Sequence, residues 1–366
     1  MSAVAVPHPD LAKRDLLPTQ IPLQMLGLSG EAAEDATLPG SDVLLELYRQ
    51  MVIGRRFDMQ ATALTKQGRL AVYPSSHGQE ACQVGVVAAL QTQDWLFPTY
   101  RDSVALVARG VDPVETLGLL RGDQHCGYDP YEHRVGPQCT PLATNTLHAV
   151  GVAHAARLKG EHTVALVLLG DGATSEGDAH EALNFAAVWQ APVVFVVQNN
   201  GYAISVPLAK QSAAPSLAHK GIGYGVPSQL IDGNDPAMVF SAVREAVEAA
   251  RRGEGPALIE ALTYRIEAHT NADDAARYRS QDEVAYWLAR DPVDRLERHL
   301  TARGLLDAAG RQAIADEAEA FAESVRERMN EDPKLDPASL FDHVYATPTR
   351  ALRVQAAALA EELAEA

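Results

Sequence analysis

Aliphatic runs of strand length alternate with helical stretches along the middle of the chain, and this alternation leaves few folds open. Thr163–Leu169, Pro192–Gln198, Ser228–Ile231 and Pro256–Tyr264 read as strands. Their apolar residues are continuous, so both faces of the sheet must be covered. Between them lie helical segments. Leu142–Leu158 is rich in small residues, Glu176–Trp189 places Ala179, Leu183, Ala186 and Ala187 on one face, and Pro236–Arg251 has Asp235 as its cap and Pro236 at its first position. The expected fold class is α/β, a doubly wound parallel sheet with helices on both faces. Upstream, Val43, Leu44, Leu47, Tyr48 and Met51 form one helical stripe, with Ser41 or Asp42 as cap. Residues 1–40 hold Pro7, Pro9, Pro18, Pro22 and Pro39 and read as an extended arm, loose or laid on a partner. After Asp282 the chain is mostly helical and charged, ending in an amphipathic stretch, Thr349–Ala366. This suggests three regions: an arm over 1–40, an α/β domain over 41–285, and a helical region over 286–366 for packing and subunit contacts.

Charge narrows the partners. With 31 Lys+Arg against 48 Asp+Glu the net charge is −17, a field that repels a phosphate backbone, so no nucleic-acid partner is expected. A few local donors can still override that field for a small anion. No apolar run approaches the ~18 residues of a membrane helix. The first ten residues place His8 and Pro9 where a signal peptide has its apolar core. Three scattered cysteines, Cys82, Cys126 and Cys139, make no disulfide framework. His125, Cys126, His133 and Cys139 match no compact zinc spacing. The expectation is a cytoplasmic protein without a membrane partner.

Two consecutive strands end in unusual polar clusters, Gly170-Asp171-Gly172-Ala173-Thr174-Ser175-Glu176 and Gln198-Asn199-Asn200-Gly201-Tyr202. In open parallel sheets ligands sit beyond the carboxyl ends of the strands. Gly170 and Gly172 let backbone approach a ligand, and the next helix begins with free N–H groups that suit an anion. Asp171 and Asn200 supply hard oxygens from neighbouring tips, the donor set magnesium takes together with phosphate oxygens. The pair reads as a diphosphate site working through a divalent cation. A nicotinamide site fits less well, because Ser175 stands where the third glycine belongs.

A lone Gly-Asp-Gly is an ordinary turn. Followed by Gly177-Asp178-Ala179-His180-Glu181-Ala182-Leu183-Asn184-Phe185-Ala186 and by Gln198-Asn199-Asn200-Gly201-Tyr202-Ala203-Ile204-Ser205, it resembles the thiamine-diphosphate motif of one family. That family comprises the alpha subunits of the decarboxylating component of 2-oxo acid dehydrogenase complexes, and the resemblance spans about Leu47 to Tyr345. It implies a thiamine-diphosphate-binding domain in which Asp171, Asn200 and the backbone carbonyl of Tyr202 hold Mg2+. Tyr100-Arg101 matches the family's Tyr-Arg pair, whose arginine contacts the diphosphate, and a guanidinium fork suits phosphate oxygens. Gly170, Gly172, Ala173 and Leu142 would line the cofactor, and Arg265 would contact its phosphate. His269 would be catalytic, near the reacting carbon and in acyl transfer to a lipoyl group. An imidazole titrates near neutrality, so proton transfer is expected of it. Cys139–Asn145 resembles a segment that in some members forms a monovalent-cation (K+) site. Thr140 and Asn145 depart from its side-chain ligands, leaving only carbonyls. Thr270 occupies the position of a regulatory phosphoserine in mitochondrial relatives, and a hydrogen-bonding loop threonine is the expected reading here.

Only one such motif is present. The resemblance therefore implies a beta subunit completing the site in an α2β2 heterotetramer, and a lipoyl-bearing acyltransferase component as acceptor. The expected reaction is oxidative decarboxylation of a branched-chain 2-oxo acid of the 3-methyl-2-oxobutanoate type. Pro141-Leu142-Ala143-Thr144 and the stretch from Ala272 to Ser280 look like branched-chain members, and Val72 stands where relatives often carry phenylalanine. Lys210-Gln211-Ser212-Ala213-Ala214 instead looks like bacterial pyruvate enzymes, which keeps pyruvate as the alternative. Acetoin cleavage and a non-catalytic paralogue are further alternatives.

Overall fold

The computed structural model describes residues 16–123, 126–331 and 336–365. His125 and the first fifteen residues lie outside them. The sheet has five parallel strands: β1 (Trp95–Phe97), β2 (Ala165–Gly170), β3 (Val193–Asn199), β6 (Ser228–Asp232) and β7 (Ala257–Leu262), in the order β1-β2-β3-β7-β6. A two-stranded hairpin, β4 (Tyr202–Ala203) and β5 (Val206–Pro207), follows β3. The four strands read from the sequence are present. The edge strand β1 spans only three residues, too few to carry a pattern.

The sheet is covered on both sides, and alternate residues of each strand sort to the two faces. Leu166, Leu168, Val194, Val196 and Ile259 join the core beneath helices Ser41–Lys66, Glu80–Ala88 and Pro236–Arg251. Ala165, Val167, Leu169, Val193, Phe195 and Val197 join the core beneath helices Thr144–Lys159 and Gly177–Trp189. Each fully buried Val, Leu or Ile contributes about 1.5–3 kcal/mol relative to exposure, so the sheet interior is the rigid base for whatever its tips hold.

Asp235 caps helix Pro236–Arg251 as expected, its Oδ1 accepting from the N–H groups of Ala237 (3.0 Å) and Met238 (3.2 Å). Its Oδ2 has a second task the sequence did not show, accepting from the N–H groups of Met25 (2.6 Å) and Leu26 (2.7 Å). Leu23 exchanges backbone bonds with the β6 edge, donating to the Leu230 carbonyl and accepting from Asp232 N–H. The described end of the arm is therefore laid on this chain's own sheet edge. Helix Ser41–Lys66 is capped by Gly40 without a side-chain bond, so neither Ser41 nor Asp42 is the cap. Helix Thr144–Lys159 begins two residues later than its pattern suggested, because Ala143 is left-handed at φ 63°. Downstream, helix Ala308–Met329 packs on helix Ser41–Lys66, with Phe321 edge-on to Phe57.

Candidate active site

In register, Gly170 pairs with Gln198, so Asp171 and Asn199-Asn200 leave the sheet side by side. They open into a cavity of about 420 Å³. Tyr100, Arg101, Leu142, Gly170, Asp171, Gly172, Ala173, Asn200, Tyr202, Arg265 and His269 all line it. The fold thus gathers every site residue expected from the sequence into one place, including pairs more than 160 residues apart, such as Arg101 and His269.

Asp171 is 2% exposed. Its Oδ2 accepts from Gln211 Nε2 at 2.8 Å, and burial raises its carboxyl pKa against that bond. A Cβ on Gly172 would come within 2.7 Å of the Ala203 Cβ, so this glycine lets the hairpin close over the β2 tip. Asn200 Oδ1 accepts from Tyr202 N–H at 3.2 Å, and the Tyr202 hydroxyl donates to Glu283. Ala143 and Ile204 (φ 55°) are two of four non-glycine residues at positive φ among the described residues, and both line this cavity. Strain of this kind concentrates where geometry serves function.

At the other side two guanidinium groups converge. Arg101, 6% exposed, donates to the carbonyls of Ser75 (3.0 Å) and His269 (3.1 Å) and to His269 Nδ1 (3.0 Å). Arg265, 1% exposed, donates to the Ile204 carbonyl, to the Tyr278 hydroxyl and to the same Nδ1 at 3.2 Å. Its Nε is buried without a partner, and neither arginine forms an ion pair with a carboxylate among the described residues. Two buried, like-charged groups that repel each other and meet carboxylates only at a distance, Asp273 through the Tyr278 hydroxyl for Arg265, are costly. A dianionic group placed between them would relieve that cost and occupy the free Nε.

Arginine has only donors to offer, so His269 Nδ1 is an acceptor and the ring is neutral with its proton on Nε2. Burial, then the charges of Arg101 and Arg265, lower its pKa from the usual 6.5 to about 4, and Asp273 opposes them. The expectation of an imidazole titrating near neutrality is corrected here: before an anion binds, His269 is an N–H donor. Since the folded pKa is depressed, the unfolded chain takes up the proton first. Stability attached to this residue is therefore full above pH 6.5 and falls as pH drops towards 4. NMR titration of His269 should show a midpoint near 4 that rises when inorganic diphosphate is added. A midpoint near 6.5 without added anion would contradict the converging-arginine geometry.

Several residues of the site went unread in the sequence. Gln211 was noted only as part of a substrate-class pattern. Gln79 and Asp102 carry no local signal, and nothing near Gln198 in sequence shows its bonds to them, 119 and 96 residues away. Asn145 donates its amide N–H groups to the carbonyls of Phe97, Pro98 and Leu168, and Thr140 is exposed. No cluster of three His, Cys, Asp or Glu suited to a metal exists among the described residues. A cation here would rely on Asp171 with amide, carbonyl and ligand oxygens.

A doubly wound parallel sheet whose polar strand tips open into one cavity is the arrangement in which open α/β proteins take ligands. Residues 48–338 match the family described as dehydrogenase E1 component, and the chain belongs to that family. It is 44% identical over 347 residues, 94% of each chain, to the 3-methyl-2-oxobutanoate dehydrogenase subunit alpha of Mycobacterium tuberculosis. It is 36% identical over 334 residues, 88% of this chain and 98% of the other, to the 2-oxoisovalerate dehydrogenase subunit alpha of Bacillus subtilis. It is 36% identical over 327 residues, 88% of each, to the pyruvate dehydrogenase E1 component subunit alpha of Staphylococcus aureus.

Proposed function

We propose that this chain is the alpha subunit of a branched-chain 2-oxo acid dehydrogenase. It works with a beta subunit and a lipoyl-bearing acyltransferase component on 3-methyl-2-oxobutanoate or a close homologue. The observation that carries the reading is the pair of buried arginines, neither in an ion pair among the described residues, lining one cavity with the Asp171 and Asn200 tips. That donor set fits a diphosphate joined to a divalent cation.

Thiamine diphosphate, the cofactor the family implies, supplies the electron sink for decarboxylation when bound. The chain's own residues bind and orient it. Arg101 and Arg265 take the phosphate oxygens, and Asp171, Asn200 Oδ1 and the Tyr202 carbonyl hold Mg2+. Gly170, Gly172 and Ala173 give close backbone approach, while Tyr100 and Leu142 line the same cavity beside the cofactor. His269, its Nδ1 held by two arginines, presents an Nε2 proton to substrate or acyl group as the catalytic residue. A K+ ion at Cys139–Asn145 would rely on backbone carbonyls and on Asn145 Oδ1, since the Asn145 Nδ2 group is taken by the carbonyls of Phe97, Pro98 and Leu168 and Thr140 is exposed. We place the protein in the cytoplasm; no helix among the described residues is long and apolar enough to cross a membrane.

Because the chain carries one such motif, a beta subunit would complete the site in an α2β2 assembly, and full turnover by the isolated chain would refute this. Substrate choice turns on the apolar end of the cavity, where Val72 and Leu120 stand and phenylalanine is absent. With the beta subunit from the same source, decarboxylation of 3-methyl-2-oxobutanoate is expected to exceed that of pyruvate in kcat/KM. Val72→Phe is expected to shift the ratio towards pyruvate by roughly 10- to 200-fold, about 1–3 kcal/mol. A wild-type preference for pyruvate would favour the activity named for the Staphylococcus aureus relative.

A further inference from the structure

Asn200 ends a chain of side-chain amides whose other members, Gln79 and Gln198, the cofactor reading does not use. Asp102 is fully buried, and its carboxylate accepts every hydrogen bond it makes. Oδ2 takes the N–H and hydroxyl of Thr99 (both 2.7 Å), and Oδ1 takes Gln83 Nε2 (3.1 Å) and Gln198 Nε2 (2.7 Å). Gln198 Oε1 accepts from Gln79 Nε2 (3.1 Å), and Gln79 Oε1 accepts from Asn200 Nδ2 (3.1 Å). Asn200 Oδ1, at the far end, faces the Tyr202 N–H and the cavity.

We propose that Asp102 is a positioning residue for the cation site, setting through Gln198 and Gln79 which way the Asn200 amide faces. This rests on the reading of Asn200 Oδ1 as a metal ligand. An amide is symmetric in shape but not in chemistry, and a flip would turn an NH2 group towards the cation. The direction of the relay is decided at its ends. A carboxylate can only accept, and a backbone N–H can only donate, so both ends demand the same orientation of all three amides. Gln83 cannot absorb a change at Asp102, because its own Oε1 is held by Ala105 N–H (3.2 Å) and its Nε2 also serves the Arg101 carbonyl. Outer groups of this kind orient metal ligands.

The test is the polarity itself. Asp102→Asn sets its NH2 either against the Thr99 N–H or against Gln83 and Gln198, and in the second setting Gln198 turns over and the relay reverses. The double variant Asp102→Asn with Gln79→Glu keeps the total charge. It lets a reversed Gln198 donate to Glu at position 79, which again accepts from Asn200 Nδ2. The protein is co-expressed with its beta subunit, and Mn2+ binding is followed by electron paramagnetic resonance in the presence of thiamine diphosphate, with thermal midpoints alongside. D102N is expected to weaken Mn2+ binding by roughly 10- to 100-fold, and the double variant to recover most of that loss. Unchanged affinity in D102N, or a double variant as weak as D102N, would overturn the proposal. Asn200→Ala separates the two readings. If it leaves Mn2+ affinity intact, the ligand assignment fails and the relay has nothing to orient. If it weakens binding while D102N does not, only the relay fails. Should D102N not fold, Gln79→Met, which leaves Asp102 and its donors in place, should weaken Mn2+ binding, and parental affinity there would overturn the inference.

Discussion

Asp171→Asn is expected to weaken cation-dependent cofactor binding by two to more than three orders of magnitude, roughly the loss of a buried charge pair, while leaving the apo chain at least as stable as the parent. The carboxylate is buried, accepts one bond from Gln211 and forms no ion pair with a basic side chain among the described residues. Its raised pKa shows that the charged form is the costly one before a cation arrives. An amide keeps the shape and an oxygen for Gln211, removes that cost, and gives up the charge a divalent ion needs. Removing one partner of a buried charge pair costs about 3–5 kcal/mol, so Mg2+-dependent affinity for thiamine diphosphate should fall by roughly 150- to 5,000-fold. Calorimetric titration measures the affinity and a thermal melt the stability. Near-parental affinity would place the cation elsewhere, and a large drop in thermal midpoint would make Asp171 a structural residue.

Arg101→Met should be the second largest effect, with a different signature. Methionine fills much of the space, leaves the carbonyls of Ser75 and His269 short of a donor, and removes one of two mutually repelling charges. These changes oppose one another, so the apo thermal midpoint should move little. Affinity for the diphosphate should drop by about 2–5 kcal/mol, roughly 30- to 5,000-fold. The His269 midpoint should rise from about 4 yet stay below 6.5, because one of the two charges depressing it has gone while burial and Arg265 remain. Retained affinity with a shifted His269 would show that Arg101 tunes the histidine without touching phosphate.

These outcomes draw on parts of the site that were legible to different degrees. The tips of β2 and β3 could be read directly, since a polar cluster with glycine after a continuous aliphatic run is local information. Asp235 with Pro236 was equally local. Arg101, Arg265 and His269 look like surface loop residues taken alone, and only resemblance to a family singled them out. What resemblance could not supply was their mutual geometry. Two arginines on one imidazole nitrogen turn an expected proton shuttle into a neutral donor, a reversal that follows from distances of 3.0 and 3.2 Å.

By itself the sequence determined the layered α/β architecture and the polar clusters at the ends of β2 and β3. Aliphatic runs, helical stripes and helix caps act between neighbours a few positions apart, and their physics survives in one dimension. The tertiary structure alone decided the docking of Leu23 on the β6 edge, the pairing of Gln211 with Asp171, the neutral state of His269 and the Asp102–Gln198–Gln79–Asn200 relay. Each depends on a polar group finding a partner of the correct sense across many intervening residues. Such a partnership has no periodicity to betray it and exists only once the sheet has brought its strand ends into register.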